Sequence, residues 1–134
     1  MSTNSSDPVI AVFEPRPYWG PELQRQLKHT SIVVRECRAV SDLMPAIDGC
    51  QSALLVIDLD AALVDCLAWL GSEARSEPVR RPIIACGSTT TAELEWLLRD
   101  AGVTSFLPDL VNGEELARLC CRQLGWPRWR PAIR

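Results

Sequence analysis

An unbroken run of five apolar residues, 53–57, limits the possible folds of this chain more than any other segment. The run contains no charge and no polar alternation, which is typical of a strand buried on both faces inside a helix-covered parallel sheet. It ends abruptly at Asp58, and a second carboxylate follows at Asp60. Because open α/β sheets bind ligands at the carboxyl ends of their strands, Asp58 is the first candidate functional residue.

Strand and helix patterns alternate along the rest of the chain. Apolar runs predict further strands over 9–13, 31–37, 82–86 and 103–107. Apolar residues at helical spacing predict helices over 20–30, 41–49, 61–74, 90–102 and 113–124. Such alternation predicts parallel strands joined by right-handed crossovers. We therefore predict an α/β fold, a flavodoxin-like, doubly wound, five-stranded parallel sheet with helices on both faces in three α/β/α layers.

The patterns also predict local details of the helices. Ser41 is suited to be the N-cap of the second helix, which Pro45 weakens because proline lacks a backbone donor. Only one of the adjacent residues Cys120 and Cys121 is expected to face the core. The other residues predicted to face inward on the third to fifth helices are Leu63, Leu67, Leu70, Leu94, Leu97, Leu98, Ala101, Leu116, Leu119 and Leu124.

Strand order does not follow from the sequence, but the commonest order for five strands places the first and third side by side. Glu14, which follows the first strand, would then face Asp58 across one crevice. Two carboxylates there are suitable ligands for a divalent cation. The pattern leaves open a weak Mg²⁺ site at Glu14 and Asp58 as the cofactor.

Composition indicates one domain, because 134 residues with 47% hydrophobic content are enough to form a sizeable core. We expect a disordered tail over 1–7, the domain over 8–125 and a Trp/Arg/Pro tail over 126–134. The net charge of −3 disfavours a nucleic-acid partner. No apolar stretch approaches the length of a membrane span, and the six cysteines form no zinc or disulfide pattern. We therefore expect a cytoplasmic protein with reduced thiols.

Over residues 9–124 the chain resembles the receiver domains of two-component response regulators. The resemblance is carried by the buried strand that ends in Asp58, by the segment 65–70 (DCLAWL), by 82–84 (PII), and by Ala101-Gly102 followed by Phe106. It implies that Asp58 is the phosphoacceptor. It also implies that Phe106 lies where receivers often carry an aromatic switch residue.

Other positions depart from the receiver pattern. The resemblance places Phe13 and Glu14 at the acidic pair that holds Mg²⁺, and Gly87 at the hydroxyl position, with Ser88 one residue late. Pro108 or Asp109 falls where receivers have a lysine. A carboxylate within about 4 Å of a phosphoryl group costs several kcal/mol at an effective dielectric constant of roughly 20. Autophosphorylation is therefore expected to be poor.

These departures favour a degenerate receiver domain that is not an enzyme and acts through protein–protein contact in a bacterial regulatory pathway. One alternative is an active single-domain response regulator, phosphorylated at Asp58 with Glu14 and Mg²⁺ assisting. A further alternative is a flavodoxin-like small-molecule binder. No Gly-rich phosphate loop follows any predicted strand, which disfavours this alternative.

Two aromatic sites lie outside the predicted core. Helical spacing predicts that Trp96 lies on the solvent side of the fourth helix. By resemblance, this helix, the fifth strand and the fifth helix form a surface for a protein partner or for a homodimer. The tail alternates aromatic and cationic residues, namely Trp126, Arg128, Trp129 and Arg130. Its arginines could contact an anionic group, or the rings could fold back on the domain.

Overall fold

The computed structural model describes residues 7–74, 80–88, 93–108 and 112–125. Five parallel strands form one sheet in the order β2-β1-β3-β4-β5. The strands are β1 (Val9–Phe13), β2 (Val33–Cys37), β3 (Ala53–Asp58), β4 (Ile83–Gly87) and β5 (Ser105–Pro108). The predicted fold class is confirmed, and β1 lies beside β3 with Phe13 opposite Ile57.

Helices pack on both faces of this sheet, so the three-layer arrangement is as predicted. The helical segments of the described residues are α1 (Trp19–Gln26), a 3₁₀ turn (Val40–Asp42), α2 (Leu43–Ile47), α3 (Leu63–Trp69) with a π-helical turn (Leu70–Ala74), α4 (Glu95–Asp100) and α5 (Gly113–Gln123). None of these helices is long and apolar enough to cross a membrane.

Two apolar layers enclose the sheet. One lies between the sheet and helices α2, α3 and α4, and the other lies between the sheet and helices α1 and α5. Alternate residues of β3 enter different layers, so that Leu55 and Ile57 face the first and Leu54 and Val56 face the second. This division explains the unbroken apolar run, because a strand covered on both faces has no solvent side.

Several helix details differ from the prediction. Ser41 is not an N-cap, because the 3₁₀ turn begins one residue before it. On α3 the most buried residues are Cys66 and Trp69, whereas Leu63 and Leu67 are only half-buried. On α4 Leu98 is fully buried but Leu97 is 38% exposed, since this six-residue helix presents a narrow apolar face.

The adjacent cysteines of α5 also correct the prediction, because both are buried. The buried positions of α5 are Gly113, Leu116, Ala117, Cys120 and Cys121. Their spacing forms a stripe wide enough to include both sulfur atoms. Neither Cys120 nor Cys121 therefore has an exposed thiol.

Candidate functional site

A crevice of about 520 Å³ opens at the carboxyl edge of β1, β3 and β4. The structure brings Glu14 and Asp58 together here, because β1 and β3 are neighbours in the sheet. The described residues that line the crevice are Glu14, Arg16, Tyr18, Trp19, Asp58, Asp60, Cys86, Gly87 and Ser88. The sequence reasoning missed Arg16 as a crevice residue, although its position just after Glu14 was an available signal.

Glu14 is almost fully buried, with 1% of its surface exposed, and its carboxylate is bound to the start of α1. The backbone N–H of Trp19 donates to Oε1 at 2.8 Å. The N–H groups of Tyr18 and Gly20 donate to Oε2 at 3.0 and 2.8 Å. The Tyr18 side chain does not cap the helix itself. Glu14 therefore satisfies backbone donors that the first turn would otherwise leave without partners.

This role limits what Glu14 can offer to a cation. A carboxylate has about four lone-pair positions, and three backbone N–H groups already point at these two oxygens. The Glu14 backbone oxygen also accepts a hydrogen bond from Nη1 of Arg38 at 3.2 Å. Both the side chain and the main chain of Glu14 are thus engaged in joining β1 to its neighbours.

Asp58 is less enclosed than Glu14 and lies half-buried in the crevice. Burial raises the pKa of the Asp58 carboxyl, and the nearby carboxylates of Asp60 and Glu14 raise it further. Hydrogen bonds from the backbone N–H groups of Ala61 and Asp60 act in the opposite direction and lower this pKa. The pKa of Asp58 is raised overall, which means that the crevice disfavours the charged form of this carboxyl.

Ser88 and Asp60 form the outer part of the crevice. Oγ of Ser88 donates a hydrogen bond to Oδ1 of Asp60 at 3.3 Å. Gly87, which occupies the expected hydroxyl position, ends β4 and contributes no side-chain oxygen. Asp109, one of the two residues at the expected lysine position, lies outside the described residues.

Phe13 and Phe106 belong to the core rather than to the crevice. Phe13, at the position of the first expected acid, is 3% exposed and packs in the layer under α2, α3 and α4. Phe106 is buried in the same layer. A switch role for Phe106 stays a prediction.

In the described part of the chain, the side chains around the crevice do not form a ready-made cation site. Among residues 7–74, 80–88, 93–108 and 112–125, no group of three His, Cys, Asp or Glu side chains is placed to hold a metal ion. Phe13 contributes no oxygen ligand, and Glu14 is already bound to α1. A Mg²⁺ ion would have to rely on Asp58, Asp60 and backbone carbonyl groups in this part of the chain.

The thiols near the crevice are poorly suited to nucleophilic chemistry. Burial raises the pKa of the Cys86 thiol to about 12, and Asp58 and Glu14 add to the effect. Burial and the carboxylate of Asp58 likewise raise the pKa of Cys66 to about 12. Because the thiolate is the reactive form, both sulfur atoms are expected to be inert at neutral pH.

The second candidate region is the outer face of α4, where Trp96 is 68% exposed. Leu97 beside it is also exposed. The other residues predicted to form a binding surface, Trp126, Arg128, Trp129 and Arg130, lie outside the described residues.

Comparison with known proteins gives structural matches only. No protein-family model and no curated protein matches the sequence. The fold is similar to a response regulator from Thermotoga maritima, with a TM-score of 0.73 and 10% identity over 89% of this chain and 98% of that chain. It is also similar to the chemotaxis response regulator CheY4 of Vibrio cholerae, with a TM-score of 0.71 and 16% identity over 89% and 99% of the two chains.

A third similar structure belongs to a family of redox sensors in the streptococci, described as evolved from two-component response regulators. Its TM-score is 0.71 and its identity is 12%, over 87% of this chain and 51% of that chain. These similarities establish that the chain has the receiver-domain fold of two-component response regulators.

Proposed function

We propose that this protein is a degenerate receiver domain that works as a non-enzymatic protein-interaction module in a bacterial signalling pathway. Its crevice would not run a phosphorylation cycle, and its output would depend on contact with a protein partner. The observation that carries the proposal is the engagement of Glu14, at the expected cation-ligand position, by three backbone N–H groups of the α1 start.

A comparison of the hydrogen-bond energy of Glu14 with the binding energy of a cation supports this proposal. Hydrogen bonds to a charged group contribute about 1.5–3 kcal/mol each, so freeing Glu14 from all three would cost roughly 4.5 kcal/mol or more. A cation bound with a Kd of about 1 mM supplies only about 4 kcal/mol. Weak Mg²⁺ binding would therefore not release Glu14. Phe13 cannot substitute for it, because a buried phenyl ring has no oxygen to offer.

The proposed partner surface is the face formed by α4, β5 and α5. Trp96 and Leu97 are exposed there, and a large exposed aromatic ring is a common anchor of protein interfaces. Either a different protein or a second copy of the chain would bind this face.

The test is intact mass and thermal melting with Mg²⁺ plus acetyl phosphate, and separately with Mg²⁺ plus beryllofluoride. We expect no mass gain and no shift of the melting temperature, either in the natural chain or in Asp58→Asn. A mass gain or a stabilisation that requires both Mg²⁺ and Asp58 would refute the proposal.

The second candidate function is an active single-domain response regulator phosphorylated at Asp58. It is favoured by the position of Asp58, which remains half-exposed in an open crevice next to Asp60 and Ser88. A cation held by Asp58 and Asp60 would leave Glu14 in place. The experiment above separates this candidate from the first.

Ligand binding or redox sensing has less support. The crevice volume of about 520 Å³ suits a small molecule. One similar structure, ShkA Rec1, is described in complex with c-di-GMP, at a TM-score of 0.59. Thiol-based sensing, suggested by the streptococcal redox sensors, is opposed by the raised thiol pKa values of Cys66 and Cys86.

A further inference from the structure

The crevice at the carboxyl edge of the sheet is lined by charged residues of both signs and by aromatic residues. Its described lining includes the acidic residues Asp58 and Asp60, the basic residue Arg16, and the aromatic residues Tyr18 and Trp19. The crevice volume of about 520 Å³ is within the range of small-molecule sites. A ligand that matches this lining would carry a positive group, a negative group and an apolar group.

Arg16 shares the crevice with Asp58 and Asp60 without pairing with either of them. The ion pairs between described residues involve other arginines, namely Arg25, Arg38, Arg99 and Arg118. The side chain of Arg16 is exposed, and none of the described residues accepts a hydrogen bond from its guanidinium group. Because arginine can bind a carboxylate through two parallel N–H···O bonds, Arg16 can bind the acid group of a ligand.

Asp58 and Asp60 form the anionic part of the crevice. Burial and the nearby carboxylates of Asp60 and Glu14 raise the pKa of Asp58, so a positive charge placed beside it would be stabilised. Asp60 is exposed, and its Oδ1 accepts a hydrogen bond from Oγ of Ser88 at 3.3 Å. An ammonium group has three N–H donors and can contact two carboxylates at once. This part of the crevice is therefore suited to an amine.

Tyr18 supplies an aromatic ring at the crevice. Its side chain is 44% exposed, whereas Trp19 beside it is buried. The centroids of the two rings are 4.6 Å apart, and the ring planes meet at 84°. Both residues are also held by hydrogen bonds from their backbone N–H groups to Glu14. An exposed ring that is fixed in this way can pack against a flat apolar group of a ligand.

Ligands with one kind of charge match this lining less well. A phosphate or another simple anion would meet the two carboxylates of Asp58 and Asp60, which repel it. A polyamine would bind these carboxylates but would be repelled by Arg16. A zwitterion avoids both kinds of repulsion, because its two charged groups can bridge oppositely charged side chains that do not pair directly.

We propose that the crevice binds a free α-amino acid with an aromatic side chain. Its ammonium group would contact Asp58 and Asp60, its carboxylate would pair with Arg16, and its ring would pack on Tyr18. The inference goes beyond the proposed function, since it adds a ligand input to a module whose output is contact with a protein partner. It requires neither Mg²⁺ nor phosphorylation of Asp58.

The test is isothermal titration calorimetry of the full chain at pH 7 in the presence of EDTA. The ligands are L-phenylalanine, L-tyrosine and L-tryptophan, together with two analogues of phenylalanine that each lack one charged group. Phenethylamine lacks the carboxylate, and 3-phenylpropionate lacks the ammonium group. We expect at least one of the amino acids to bind, and each analogue to bind about tenfold more weakly than phenylalanine or worse, because a charge-assisted hydrogen bond is lost.

Two variants assign the charged groups of the ligand to the crevice. Arg16→Gln should weaken the binding of phenylalanine about tenfold or more and leave that of phenethylamine unchanged. Asp60→Asn should weaken the binding of both amines and leave that of 3-phenylpropionate unchanged or stronger. Arg25→Gln is the matched control, because Arg25 is an exposed arginine that pairs with Glu22 on α1, outside the crevice lining.

No binding of any of the three amino acids at up to about 10 mM would overturn the proposal, since Kd values above this range correspond to very little binding energy. Phenethylamine that binds as tightly as phenylalanine would also overturn it, because the site would then recognise only a cation. Equal effects of Arg16→Gln and Arg25→Gln would show that the carboxylate of the ligand does not pair with Arg16. A mass gain with acetyl phosphate would refute the proposed function without affecting these titrations.

Discussion

The carboxylate of Glu14 accepts a 2.8 Å hydrogen bond from the backbone N–H of Gly20, which ties the end of β1 to the first turn of α1. Gly20 is also confined from the other side. A Cβ atom at this position would lie 2.5 Å from Cδ of Glu36 on β2. The start of α1 is therefore positioned by a hydrogen bond and by close packing together, and the wall of the crevice depends on both.

We predict that Glu14→Gln lowers the free energy of unfolding by about 1–3 kcal/mol. An amide has one oxygen, and its NH₂ group would face an N–H donor that the carboxylate now satisfies. The measurement is urea unfolding at neutral pH. Glu114→Gln is the matched control, since Glu114 forms an exposed ion pair with Arg118, and its effect should stay within about 0.5 kcal/mol. Equal effects of the two substitutions would contradict the capping role.

Gly113 is expected to be required for the packing of α5 on α1. A Cβ atom there would overlap Oε1 of Glu22 and lie 3.0 Å from the Cβ of Glu22. Gly113→Ala should therefore destabilise the protein by about 1–3 kcal/mol, in spite of the better helix propensity of alanine. Gly71→Ala is the control, because open space surrounds Gly71. If thermal melting shows no loss of stability for Gly113→Ala, then α5 and α1 do not approach each other as closely as described.

The strands and their burial could be predicted from the sequence because runs such as 53–57 have one physical interpretation, a strand covered on both faces. The role of Glu14 could not be predicted from the sequence, because it depends on the loop that brings the N–H groups of residues 18–20 back to β1. Likewise, the burial of both Cys120 and Cys121 depends on how α5 packs against the sheet and α1. Local sequence patterns indicate helices and strands. Contacts such as those of Glu14 and of the two cysteines form only when the helices and strands pack together.

The raised pKa of Asp58 should make the stability of the protein depend on pH. Its pKa in the folded protein lies above the ordinary value of 3.8, so the folded state binds its proton more tightly than the unfolded chain does. Stability contributed by the protonated form is complete below pH 3.8 and is lost as the pH rises through the folded pKa. Asp58→Asn keeps an oxygen acceptor without the charge, and should therefore melt at a higher temperature than the natural chain at pH 7.

The difference between the two melting temperatures should shrink as the pH falls below the pKa of Asp58 in the folded protein, because the natural Asp58 then becomes neutral as well. Asp65→Asn serves as a control, because Asp65 lies on the exposed surface of α3. A melting-temperature difference that does not change with pH would show that the effect of Asp58→Asn is not electrostatic.

The last prediction concerns the six cysteines, all of which lie in the described residues. Five of them are buried, and Cys50 has intermediate exposure. Burial raises the pKa of Cys121 to about 11, and those of Cys66 and Cys86 to about 12, which leaves almost no thiolate at pH 8. A thiol reagent such as DTNB should react quickly with one group per native chain and with the remaining five only as the protein unfolds. Cys50→Ser should abolish the fast phase without changing the slow one. Fast reaction of Cys121 would contradict its burial between α5 and the sheet.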